Sequence, residues 1–508
     1  MSPSDRPPSR LHAAADAPAD PHHERRWLIL IVLCLAQLML VVDSTIVNVA
    51  LPSAQRALHF STANREWVIT AYVLAFGSLL PLGGRMSDLW GRKLMFVLGA
   101  IGFAGASAVG GAAQSFTMLV AARAVQGVFG ALLAPAAISM IAVTFTAPTE
   151  RAKAFGMFGA IGGSAGALGL LLGGVFTSYV SWRWCMFVNV GFGMLALLGA
   201  LQLMTNSANP DKPRLDLVGT VLATAGLFGI VFGGAKAETN GWGATITIVS
   251  LALGVGLLLV FLLSQRRGSY PLMPLHVIAD RTRGAGLLSL FLSNIALFAI
   301  FLFLTYYFQG VLHYSPVKTG MAFLPLTLSI GVSAALVQTK LQARLPTRAF
   351  FAVGLLMGAI GCVLLAHVTV DSAYAGWALG GLILIGLGFG TSAVIALDIS
   401  SVGVAPEDTG VAGSLANVSQ QIGPAIGIAL LSTVAATATT HYTQHHAGLQ
   451  SLAAHATVHG FVVAFWYGAV IFTAAAVICT LLVRNIPRRT SSSPSAAGTE
   501  ALARLETI

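Results

Sequence analysis

Asp43 sits inside the apolar run LIVLCLAQLMLVVDSTIVNVALP, residues 30–52. A membrane helix takes about 20 apolar residues at ~1.5 Å each, so this run can cross hydrocarbon with the acid inside it. An ionisable group at such depth is costly and by default marks an ion or substrate path. Arg123 stands in a second such run, within RAVQGVFGA. Asp43 lies about 16 residues in from one face, roughly 24 Å, and Arg123 about six residues in from the other, roughly 9 Å. In a core about 30 Å thick the two depths nearly coincide. Pairing lowers the cost of both charges. Burial favours a neutral carboxyl and a neighbouring cation favours the carboxylate, so the pair is poised to respond to protons. Two uses are open to it: proton coupling, or a static ion pair that fixes helix register.

Other polar and glycine-rich stretches flank this pair. GRMSDLWGRK (84–93) joins two apolar runs and carries Gly84, Arg85, Asp88, Gly91, Arg92 and Lys93. Its glycines permit a tight turn, and Asp88 can accept charge-assisted bonds from an arginine, which suits a gate at that face. A fifth run carries Gly159, Gly162, Gly163, Gly166, Gly169, Gly173 and Gly174, a small-residue face for close helix contact. Asn48, Gln126, Asn294, Tyr306, Gln309, Asn417 and Gln421 are candidates to line a substrate cavity; Asn294, Gln309, Asn417 and Gln421 could equally bond helix to helix, and Tyr306 could equally face lipid or pack. Asp398 is a second acidic candidate near a span end, where an interfacial position is the simpler reading. His441, His445, His446, His455 and His459 include spacings of four that could hold a metal. With no acid or cysteine among them they read as an exposed loop, and no metal site is expected.

The elements that must position these residues are plain from composition. The 508 residues are 56% hydrophobic and 9% charged, where a soluble domain carries roughly 25% charge. Mean hydropathy is +0.81. Apolar runs recur near 27–50, 64–84, 94–113, 117–143, 152–178, 184–204, 215–235, 244–264, 284–308, 316–339, 349–368, 373–398, 409–435 and 459–483. The expectation is an all-α membrane protein of fourteen spans arranged six, two, six. Its parts are a disordered tail (1–26), a first six-helix bundle (27–205), two linker helices with their loops (206–283), a second bundle (284–484) and a second tail (485–508). With the N-terminus cytoplasmic, 22 Lys and Arg fall on the inner side and five on the outer, so both termini are expected inside. The net charge of +10 therefore orients the chain and does not imply nucleic acid. Cys34, Cys185, Cys362 and Cys479 lie singly in apolar runs and suggest neither disulfides nor zinc.

A faint repeat supports this division. APTERAKAFG at 147 resembles APEDTGVAGS at 405, and the basic loop ending at Arg92 has a counterpart ending at Arg348. The offsets, 258 and 256, match spans 1–6 to spans 9–14. Duplicated halves around a midplane site are a common transporter design.

Together these motifs resemble the major facilitator superfamily, and within it the fourteen-span drug:proton antiporter family. The resemblance rests on DSTIVNVALP (43–52), GRMSDLWGRK (84–93), RAVQGVFGA (123–131), WRWCMFVNV (182–190), YYFQGVLHYSPVKTG (306–320) with the following LP, and GVAGSLANVSQQIGPAIG (410–427). It spans residues 25 to about 484. It implies proton-driven export of an amphipathic drug or metabolite by rocking of two six-helix halves. It also implies proton coupling at Asp43 and Arg123 and an inner gate at Asp88 and Arg92. The chain departs from the family at GLLLGG (169–174), where Leu170 replaces the proline of GPxxGG, and at Gly191, where proline is common.

A symporter or importer is the rival within transport. A multi-pass enzyme finds no support, since no phosphate loop, HExxH pair, nucleophile elbow or paired-carboxylate site is present. No soluble sensing domain suggests a receptor. The expected partners are a small-molecule substrate, protons and the lipid bilayer, with no cofactor, no nucleic acid, plasma-membrane residence and a functional monomer.

Overall fold

Backbone groups in hydrocarbon must be satisfied within their own segment, and among the described residues of this computed structural model every regular element is helical. The described residues are 25–61, 64–65, 67–205, 216–267, 279–337, 346–401, 404, 409–446 and 452–483. The expected tails at 1–26 and 485–508 lie almost wholly outside them, as does the polar loop at 206–214.

The first six helices are α1 (Arg26–Leu58), α2 (Trp67–Trp90), α3 (Arg92–Gly111), α4 (Phe116–Thr144), α5 (Pro148–Tyr179) and α6 (Trp184–Leu203). Then come α7 (Leu217–Asn240) and α8 (Thr245–Arg267). The last group is α9 (Arg281–Tyr306), α10 (Pro316–Ala322), α11 (Leu324–Leu336), α12 (Thr347–Leu365), α13 (Leu379–Ser401), α14 (Thr409–His445) and α15 (Leu452–Leu482). A π-helical turn at Tyr307–Val311 extends α9, and another at Tyr374–Ala378 leads into α13. Among the described residues twelve helices are long and apolar enough to cross a membrane, with α10 and α11 forming a single span. The shorter apolar stretches 165–179 and 218–234, in α5 and α7, bring the spans to the expected fourteen.

Helix boundaries differ from the apolar runs in instructive places. α1 continues past position 50, through Pro52, to a left-handed cap at His59. The run near 316–339 breaks at Phe323, because Pro325 favours a fresh helix start. α5 is one unbroken helix with no internal proline, as Leu170 in place of proline leads one to expect.

The two groups of six repeat one packing plan. α1 packs on α5 and α6, α2 on α4, and α3 on α4 and α6; in the second group α9 packs on α14 and α15, α11 on α13, and α12 on α13 and α15. α7 and α8 form a hairpin whose crossing is so close that a Cβ at Gly229 would lie 2.8 Å from the Gly254 Cα. α7 fills the seam between α2 and α14, while α8 turns Leu253, Leu259 and Leu263 outward. A helix so apolar and so exposed faces lipid. The chain is a multi-pass membrane protein.

Among the described residues the two groups meet most tightly at the end bearing the α1–α2 connection. There Gln309 Nε2 donates to the Val49 carbonyl (3.1 Å), the Val317 N–H donates to Ser178 Oγ (3.3 Å), and the Arg65 guanidinium lies 3.4 Å over the Tyr306 ring. A Cβ at Gly174 would sit 2.7 Å from the Pro316 carbonyl, and one at Gly320 would sit 2.6 Å from the Leu170 carbonyl. Toward the opposite end Gly156 and Gly159 of α5 and Gly331 of α11 face open space, and Leu328 and Val332 are exposed. Among the described residues the seam is closed at one end and open at the other.

Candidate functional site

Five helices converge on Asp43 and bury it completely, at 0% exposure. Its Oδ2 accepts a bond from Arg123 Nη1 at 2.6 Å. Its Oδ1 accepts from Asn189 Nδ2 of α6 at 2.7 Å and from Gln126 Nε2 of α4 at 3.1 Å. The helical depths expected for Asp43 and Arg123 thus correspond to direct contact. A buried carboxylate is tolerable where a cation and further donors saturate its oxygens.

The RxxQG spacing has a physical reading here. Arg123 and Gln126 are three apart, so both emerge on one face of α4. Arg123 Nη1 also donates to Gln126 Oε1 (2.9 Å), and Gln126 Nε2 also donates to Ser107 Oγ of α3 (2.6 Å). Arg123 Nε donates to the Val68 carbonyl (3.1 Å), and the guanidinium lies 4.3 Å from the Tyr72 ring centroid. Gly127 completes the motif because a Cβ there would overlap the Tyr72 carbonyl of α2. On the α5 side, Cβ atoms at Gly169 and Gly173 would meet the Val42 carbonyl (2.9 Å) and the Ile46 carbonyl (2.8 Å), bracketing Asp43 along α1.

Apolar side chains insulate the site along the bundle axis. Toward the closed end lies a cavity of about 10 Å³ lined by Val47, Val68, Leu119, Cys185 and Met186, among others. It has room for about one water but no polar wall to hold it. In the other direction Leu40 and Phe76 close over Gly130.

The remaining sequence candidates fall elsewhere. Gln126 belongs to the buried network instead of lining a cavity, a correction its shared face with Arg123 explains. Asn48 and Asn294 are likewise buried and bond their own helices, to the Ser44 and Leu290 carbonyls. Tyr306 is buried beneath Arg65, and Gln309 bridges to Val49, so both serve the closed seam. Asn417 and Gln421 are half-buried along α14. Asp398 is exposed on α13, away from the charged pair.

The loop at 84–93 departs from expectation in three ways. Gly91 does make the tight turn, at φ 100°. The glycine under α4, however, is Gly83, whose Cβ would overlap the Ala131 carbonyl, while one at Gly84 would make only ordinary contact with Pro135. Asp88 lies near Arg85 and Arg92 but forms no ion pair among the described residues. Lys93 caps the end of α6, donating to the Leu201 (3.2 Å) and Met204 (2.6 Å) carbonyls within its own half. In α5, Gly159 meets nothing within 4 Å and Gly166 barely touches Thr45; Gly174 faces the other half instead of α1. Gly163 lies within the helix. His441 stacks on His445 and His446 stacks on Tyr442, and no metal-holding group of three occurs among the described residues.

Asn189, Ser107 and Tyr72 were not legible as site residues. Asn189 alone carried a signal, as a polar residue inside the otherwise apolar sixth span.

The family model of the Major Facilitator Superfamily matches residues 33–216 and 215–428. The chain belongs to that superfamily. It is 45% identical over 493 residues, 97% of each chain, to the puromycin resistance protein of Streptomyces alboniger. It is 37% identical over 418 residues to the cephamycin export protein of Amycolatopsis lactamdurans, covering 81% of this chain and 85% of that one. Among solved structures, a bacterial homologue of the lysosomal transporter Spinster, inward-facing, aligns at TM-score 0.62 and 17% identity over 91% and 97% of the chains. An auto-inhibited peptide transporter aligns at TM-score 0.67 and 14% identity over 93% and 99%. The superfamily fold expected from the motifs is borne out, with its two pseudo-symmetric bundles and an added helix pair.

Proposed function

We propose that this protein exports an antibiotic or related amphipathic metabolite in exchange for protons. The observation that carries the reading is the near full-length relation to a puromycin resistance protein. The buried Asp43–Arg123 pair supports the proton as driving ion, since it is an acid within the bundle that can change charge without a cofactor. The working units are the bundles at 27–205 and 284–484, with the helix pair in 206–283 bridging them. Both termini are cytoplasmic in this reading, which makes the open end face the cytoplasm. The protein acts as a monomer in the plasma membrane, without enzymatic turnover.

The test is a susceptibility panel in a pump-deficient host, spanning an aminonucleoside, a cephamycin and an aromatic polyketide, joined to proton-flux measurements in everted vesicles. Wild type is expected to raise tolerance to at least one member and to release protons when that compound is added across a pH gradient. Asp43→Asn is expected to fall to the level of empty vector while still reaching the membrane. Substrate accumulation in cells would instead identify an importer. Full export by Asp43→Asn would remove Asp43 from coupling.

Rocking also requires the closed seam to open. A Ser178→Cys/Val317→Cys pair joins residues already in contact across it. Oxidation is expected to abolish transport and a reductant to restore most of it, with either single variant unaffected by both.

A further inference from the structure

One buried atom beside Asp43 stands apart from the hydrogen-bond network. Asn189 Oδ1 is buried and, among the described residues, has no hydrogen-bond partner, although the same side chain's Nδ2 donates to Asp43 Oδ1 at 2.7 Å. An ionised carboxylate only accepts, so it dictates that the amino end of this amide points toward it. A protonated carboxyl must donate, and each present neighbour of Oδ1 is itself a donor. Gln126 is not free to reverse. Its Oε1 accepts from Arg123 at 2.9 Å and its Nε2 donates to Ser107 at 2.6 Å and to Asp43, so turning it would break three bonds. Asn189 breaks only its bond to Asp43 on turning, and exchanges an orphan carbonyl for an orphan amino group. Its two orientations differ chiefly by what Asp43 presents.

We infer that Asn189 is the positioning residue that reports the protonation of Asp43, by a half-turn of its amide that converts it from donor to acceptor. The proton leaves a hydronium ion, which becomes water, and forms one O–H bond on Asp43 Oδ1, which then donates to Asn189 Oδ1; nothing is oxidised or reduced. Arg123 keeps its place on Oδ2. The titratable or charged groups facing the site among the described residues are Arg123 from α4, Tyr72 from α2 and Cys185 from α6 itself; α3 offers the neutral Ser107 and α5 its glycine face. None of these bonds Oδ1 among the described residues, where its two partners are Gln126 and Asn189. Asn189 therefore gives both charge states a bonded partner, and ties the proton to α6.

This deepens the proton-coupling reading and rests on it. The test is infrared difference spectroscopy of the full chain in lipid, between alkaline and acidic buffer, with and without isotope-labelled asparagine. Acidification is expected to produce a protonated-carboxyl band together with a label-sensitive side-chain amide band, both lost in Asp43→Asn. Asn189→Leu is expected to lose the amide band and shift the carboxyl band to the position of an unbonded acid. Asn189→Ser, whose hydroxyl can donate or accept, is expected to keep a bonded carboxyl band and the wild-type pH midpoint. A carboxyl band without an amide band, or one unmoved in Asn189→Leu, overturns the role of Asn189 and leaves proton coupling standing. The absence of any band that disappears in Asp43→Asn overturns both. The labelled wild-type measurement decides even if Asn189→Leu does not fold.

Discussion

Arg123→Met is expected to lose all proton-driven export and to destabilise the folded protein by about 3–5 kcal/mol at alkaline pH, the usual cost of stranding one member of a buried ion pair. Arg123 is 1% exposed and donates to Asp43, Gln126 and the Val68 carbonyl, so no water can replace it in place. The loss has a definite pH dependence. The variant leaves a buried carboxylate without its cation, a cost that adding a proton removes. Stability then falls as pH rises, and the deficit shrinks in acid. Thermal unfolding of the purified variant across pH measures this directly. The double variant Asp43→Asn/Arg123→Met is expected to recover part of the stability and none of the transport, since it removes both charges together. A single variant as stable as wild type at all pH values would mean that the pair is not a closed ionic unit. Equal loss at every pH would mean that packing and not charge is what Arg123 supplies.

Such a pair was legible from sequence because helical rise turns residue count into depth. Depth is not rotation, however, and most of the unread detail is rotational. Gln126 looked like a cavity residue, yet its place three residues after Arg123 already commits it to the same face. Gly84 and Gly83 differ by one position, about 100° around α2, and only the packed helix reveals that Gly83 meets the Ala131 carbonyl. Lys93 reads as one charge of a basic loop until the end of α6 is known to lie beside it, some hundred residues away. Asp88 illustrates a different limit. Sequence offered it an arginine partner, but which contacts form at a gate depends on which end of the seam is open, and here the separated end is its own. Asn189 was unread for the simplest reason, that one amide in an apolar span has several uses and only its neighbours choose between them.

The glycine face of α5 makes the same distinction testable at single positions. Gly169→Val is expected to abolish transport and to destabilise the protein by about 1–3 kcal/mol or more, the scale of overpacked cores. Its Cβ would press on the Val42 carbonyl at 2.9 Å and the Val42 Cα at 3.1 Å, both backbone atoms that cannot rotate aside. Val42 precedes Asp43, so any outward shift of α1 drags the carboxylate from Arg123, Gln126 and Asn189 together. Gly159→Ala is expected to do the opposite. Nothing lies within 4 Å of that position, so alanine adds helix propensity, worth about 0.5–1 kcal/mol, without a clash. Both residues belong to the glycine-rich α5, yet one sits where α1 and α5 cross and the other where the seam stands open. Melting and transport assays on the two variants therefore separate a crossing-point glycine from one that merely keeps the register. Should Gly169→Val transport normally, α1 and α5 would have to be farther apart in the working protein than they are here, and the glycine face would lose its part in holding Asp43.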